Sequence, residues 1–134
     1  MKKMLLVSAL LGSSLLMASA EAPNTEMIKT TMQNLERSMS KIQKGFLYNS
    51  RARIKGGVVS LRRDLKNIDS FLITNDADVK FNAKVYATTE TKALDTMASK
   101  IIEDFDKGDK EAVMKEFNQV LNRCVTCHAL VRKW

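Results

Sequence analysis

The chain has 134 residues, 45% hydrophobic and 28% charged, with 22 basic against 15 acidic side chains and a formal net charge of +7. That length suits one domain with a modest core. The positive balance does not mark a nucleic-acid binder, because acidic residues are interspersed, no long basic run occurs, and aromatics that stack on bases make up only 6%.

Residues 1–20 read as an address. Met1-Lys2-Lys3 is a short basic start, Met4 to Met17 is apolar apart from Gly12 and a few serines, and Ala18-Ser19-Ala20 supplies small residues that a signal peptidase accepts. That apolar stretch is short of the roughly 20 residues needed to span a bilayer, so cleavage before Glu21 is expected rather than a retained anchor. The expectation is an exported, periplasmic domain of residues 21–134 with no stable membrane insertion. Without Lys2 and Lys3 it carries 20 basic against 15 acidic side chains.

Ile28, Met32, Leu35, Met39, Ile42 and Phe46 step by three or four and draw an apolar stripe along a first helix. Pro23 lies ahead of the stripe, Asn24 or Thr25 can cap the helix, and Gly45 lies near its expected end. From about Ser50 to Ile73, the series Ile54, Val58, Leu61, Leu65, Ile68 and Leu72 predicts a second helix with Arg and Lys facing outward. Gly56-Gly57 weakens its first turns by about 1 kcal/mol per glycine, which predicts a late start or a bend.

Residues 74–78 read as a loop by their polar capping residues. Leu94, Met97, Ile101 and Phe105 predict a third helix that stops at Lys107-Gly108. Its start is expected as early as Val79, although Val85-Tyr86 and Thr88-Thr89 would also tolerate a strand. Asp109 caps a fourth helix whose inner face reads Val113, Phe117, Val120, Cys124, Cys127 or His128, and Val131. Four amphipathic helices with short connections pack most simply as an all-α, antiparallel up-down-up-down four-helix bundle, which can hold a cofactor between facing helices.

Both cysteines and the single histidine lie in Cys124-Val125-Thr126-Cys127-His128. A disulfide across two intervening residues would close a very small loop and constrain little of the unfolded chain. A zinc site lacks a fourth strong ligand, and a thioredoxin-like pair would need a strand before it. C-x-x-C-H is instead the signature for covalent attachment of a c-type haem. Two thiols bond the porphyrin's vinyl groups and the adjacent histidine becomes an axial iron ligand. On a helix, positions 124, 127 and 128 share one face.

With that motif on a fourth helix of an exported helical chain of this length, the sequence resembles the cytochrome c-prime family. Ala129 and Val131 depart from the family's usual continuation of the motif, while Arg132 keeps its basic position. The resemblance implies one covalent haem c near the C-terminus, with Cys124 and Cys127 attaching it, His128 on the iron, and Arg132 as a candidate propionate contact. The second axial ligand cannot be a histidine, which leaves methionine, an empty site or a weak ligand. Among Met27, Met32 and Met39 of the first helix, the stretch from Met32 to Lys44 looks like the methionine-bearing segment of the six-coordinate members. It implies Met32 as the second ligand, with Met39 as the alternative.

The expected function is therefore one-electron transfer with redox partner proteins. No acid/base pair, nucleophile or substrate motif argues for an enzyme. Two alternatives stay open: a five-coordinate gas-binding protein in which Met32 is only packing, and a haem-free helical interaction protein. The resemblance further implies pairing of two copies through the first and second helices.

Overall fold

The structure, a computed structural model, describes residues 23–73 and 81–132, without the side chains of Pro23 and Arg132. The expected address segment 1–20, the loop 74–78, Val79 and the side chain of Arg132 lie outside the described residues. Four helices run in order: α1 (Pro23–Leu47), α2 (Arg51–Leu65), α3 (Ala83–Lys107) and α4 (Lys110–Arg132), with a 3-10 helix at Lys66–Ser70 after α2. No strand occurs among the described residues, so Val85-Tyr86 and Thr88-Thr89 belong to α3.

The ends of the helices follow their local chemistry, with instructive exceptions. Asp109 Oδ1 accepts the Ala112 N–H at 2.9 Å and starts α4 as expected. Gly108 ends α3 in the left-handed region at φ 78°, where a side chain would be strained. Asn82 caps α3 through the Val85 N–H at 3.0 Å, so that helix begins at Ala83 and not at Val79. Pro23 belongs to the first turn of α1, where its missing N–H costs nothing. Asn24 does not cap α1: its amide accepts from Leu72 N at 3.1 Å and donates to Leu72 O at 3.3 Å, tying the start of α1 to the end of the second helical segment.

The second helix departs most from expectation. It does not run to Ile73; the α-helix ends at Leu65, tightens to 3-10 and gives way to extended backbone at Phe71. Fewer residues per turn rotate the last side chains out of the earlier register. Phe71 is therefore buried, while Leu72, which the spacing places in the core, is 75% exposed. Nor does Gly56-Gly57 delay α2, which starts at Arg51. A Cβ on Gly57 would sit 2.6 Å from Ile42 Cγ1 and 3.0 Å from both Ile42 N and Ser38 O, and one on Gly45 would meet Ile54 Cγ1 at 2.5 Å. These two glycines let α1 and α2 approach almost backbone to backbone.

Ion pairs mark the antiparallel register. Arg51 pairs with Asp106 and Arg62 with Asp95, so eleven residues forward along α2 match eleven backward along α3. Arg123 with Glu90 and Lys100 with Glu116 show that α4 also runs antiparallel to α3. Ion pairs at or near the surface contribute little, and the larger stabilisation comes from the buried apolar layer. Ile42, Ile54, Leu61, Leu65, Ile101 and Val120 are its largest fully buried side chains. The chain is thus an all-α bundle in which α1 packs on α2, α2 on α3 and α3 on α4, while α1 and α4 meet sparsely.

Gly57→Ala should lose about 1–3 kcal/mol of stability because the new methyl group meets backbone, even though alanine is the better helix former by about 1 kcal/mol. Gly56→Ala meets only the flexible end of Lys41 and should be neutral or stabilising. Urea unfolding followed by circular dichroism checks both.

Candidate functional site

The sparse seam between α1 and α4 opens into a cavity of about 470 Å³. From α1 it is lined by residues from Met32 to Gln43, and from α4 by residues from Phe117 to His128, eleven residues of advance in each case. Leu61, Leu65 and Ile68 from the second segment and Leu94 from α3 form its apolar floor. At one end Phe46 of α1 meets Phe117 edge to face, with ring centroids 5.3 Å apart. Because the two helices run in opposite directions, the stretch of α1 from Met32 to Met39 lies alongside His128. Glu36, Ser40 and Gln43 supply a polar margin on the α1 side.

Cys124, Cys127 and His128 all line this cavity and are all half-buried. Their spacing puts them on one face of α4, and α4 turns that face toward α1. Both cysteines are free thiols. Burial, with a smaller contribution from Cys127, pushes the Cys124 thiol up to about 11. The Cys127 thiol is also raised, by burial and by the negative charge of Glu90.

Met32 and Met39 both line the cavity, each half-buried against the core. Met27 does not line it and instead takes a contact from Ser70 Oγ at 3.7 Å. Of the three methionines on the first helix, two therefore face the cavity of the seam and one packs beside the second helical segment. Counted from the Phe46–Phe117 contact, His128 falls opposite Leu35, between Met32 and Met39, so both thioethers lie within about one turn of it along α1.

One group escaped the sequence reading. Glu90 of α3 accepts from Arg123 Nη1 at 2.7 and 3.0 Å and holds the residue next to Cys124 against α3. Arg123 is therefore committed within the fold and is not a free surface cation. Tyr86, one turn before Glu90, sits in the same cluster: burial first, then the charges of Glu90 and Cys127, raise its phenol, and Arg123 opposes them. Nothing in the local pattern signals Glu90, since its partner lies 33 residues away.

No family model matches the chain, and neither curated proteins nor solved structures include a significant match. The chemistry of the cavity is accordingly argued from its own residues. Among the described residues no cluster of three or more His, Cys, Asp or Glu side chains is arranged to hold a bare metal ion. Two thiols and an imidazole on one wall, with thioethers on the wall opposite, suit a flat macrocyclic metal complex better than an ion bound by protein ligands alone. The cavity volume lies within the ~300–1,000 Å³ of ordinary cofactor sites. No helix among the described residues is long and apolar enough to cross a membrane.

The raised thiols give a prediction for the haem-free chain. A thiol whose folded value lies above its unfolded value stabilises the fold below the unfolded value, and that contribution is lost as pH rises toward the folded one. Stability should fall between about pH 9 and pH 11, and Cys124→Ala should make the fall shallower in urea titrations. Alkylation by iodoacetamide at neutral pH should be slow in the folded chain and fast in urea.

Proposed function

We propose that the protein is an exported one-electron carrier of the cytochrome c-prime type, with one covalent haem c in the seam between α1 and α4. The observation that carries this reading is the convergence of Cys124, Cys127, His128 and Met32 on one apolar cavity. Cys124 and Cys127 would hold the porphyrin through thioether bonds, and His128 and Met32 would supply the axial nitrogen and sulfur. When bound, haem supplies a ferric/ferrous couple that takes up and releases one electron.

The chain's own residues serve that chemistry in separable ways. The Glu90–Arg123 pair anchors the attachment turn of α4 to α3, which limits rotation of His128 about the helix axis. Leu35, Leu65, Leu94 and Val120 keep the cavity lining apolar, which would favour the form of the iron site with less net charge. A methionine ligand beside the histidine would raise the potential relative to two nitrogen ligands. Arg132 as a propionate contact belongs to this proposal, as do periplasmic location and redox protein partners.

Expression with haem-c maturation machinery tests the reading. The expected product keeps its haem under denaturing electrophoresis and has a low-spin spectrum with the weak ferric charge-transfer band of methionine–iron ligation. Met32→Ala should turn that spectrum high-spin and open the iron to carbon monoxide, whereas Met39→Ala should leave it low-spin. A high-spin wild type that shifts with nitric oxide would replace electron transfer by gas binding. Absence of a Soret band would favour a haem-free helical interaction protein.

A further inference from the structure

We infer that the cleft between the second half of α1 and the start of α2 is a docking face for an acidic redox protein, placed to bring that partner to the mouth of the cavity. The inference rests on the haem reading above. Arg37, Lys41, Lys44 and Arg53, all exposed, line this cleft of about 360 Å³ together with Glu36 and Ser40. Four cations here face one carboxylate.

What sets this cleft apart is that four cations without ion pairs among the described residues line one concavity. Arg51 is answered by Asp106, Arg62 by Asp95, Arg63 by Asp64 and Arg123 by Glu90. Among the described residues, none of the four cleft cations makes an ion pair. Arg37 donates to Asn34 Oδ1 at 3.1 Å, and the Arg53 guanidinium lies 4.7 Å from the centre of the Tyr48 ring. Like charges one turn apart on α1 repel each other, and an acidic surface laid against them removes that repulsion.

Two further observations select a protein as the occupant. Leu47 and Tyr48, at the α1–α2 turn beside Lys44 and Arg53, are 77% and 66% exposed. The Tyr48–Arg53 stack has the residue types of a protein-binding hot spot, and an exposed leucine beside it adds apolar surface that is of no use to a small anion. The cations also line a concavity, which a flat bilayer cannot enter. Glu36 and Ser40 belong to both the cleft and the cavity, so a partner seated in one lies at the edge of the other. Charge complementarity there raises the rate of encounter and orients the partner.

The test uses the haem-loaded protein and reduced plant-type [2Fe–2S] ferredoxin, a small acidic protein, as probe. One electron leaves the reduced cluster and converts ferric to ferrous haem, and stopped-flow absorbance reads the rate. At low ionic strength the triple variant Arg37→Glu/Lys41→Glu/Lys44→Glu should react about tenfold or more slowly than wild type, the difference closing as ionic strength rises toward about 1 M. A matched triple on α3 and α4, Lys92→Glu/Lys110→Glu/Lys115→Glu, should slow the reaction much less. Tyr48→Ala should slow it at all ionic strengths. Equal slowing by the two triples would overturn the inference, since net charge alone would then act. So would a rate unchanged in Tyr48→Ala with reaction toward ferricyanide slowed as much as toward ferredoxin, which marks a general anion-attracting surface. Cleft-dependent sedimentation with phosphatidylglycerol vesicles, without any effect on ferredoxin, would assign the face to membranes instead. Failure of the haem reading is seen separately, as a missing Soret band before any partner is added.

Discussion

Everything in this bundle follows from how closely α1 can approach α2. Gly45 and Gly57 have no side chains where Ile54 and Ile42 press in, so the two helices lie with backbone nearly against neighbouring side chains. Methyl groups at either position would push α1 away from α2 and toward α4. Drawn onto α2, α1 leaves a gap on its other flank, and that gap is the cavity. The same two glycines that look like helix weaknesses in isolation therefore create the space in which the thiols, the imidazole and the thioethers converge.

The electrostatic design is divided along the same line. On the α2–α3 and α3–α4 sides, cations and carboxylates are matched across the helices and fix their register. On the α1–α2 face they are not matched, and positive charge accumulates beside the open edge. Within the cavity, burial keeps both thiols in their protonated form across the physiological range, so they are poor nucleophiles in the folded chain.

Much of this was legible in the sequence, and the failures have physical causes. The stripe from Ile28 to Phe46 and the face from Val113 to Val120 were readable because a single period governs each whole helix. The end of the second helix was not, because Leu72 continues the heptad rhythm on paper while the backbone has already tightened into a 3-10 turn. The role of Asn24 was hidden because its partner, Leu72, is 48 residues away. Glu90 was hidden for the same reason. The placement of Cys124, Cys127 and His128 on one face of α4 was readable, since it depends only on spacing within one helical turn. On α1 the apolar stripe carried Met32 and Met39, which both line the cavity, while Met27, off the stripe, packs beside Ser70.

The open seam joins the first helix of the chain to the last. Phe46 and Phe117, which bridge it, are 71 residues apart, whereas the α1–α2 and α3–α4 contacts are made between neighbours in sequence. Closing that long loop carries the largest entropic cost in the bundle and returns the fewest contacts, so it should form late in folding and open first under load. The two helical hairpins would then behave as the durable halves of the molecule. Any cofactor fixed to α4 alone would stay with its own half when the halves part, and would regain its partner on α1 only when they close.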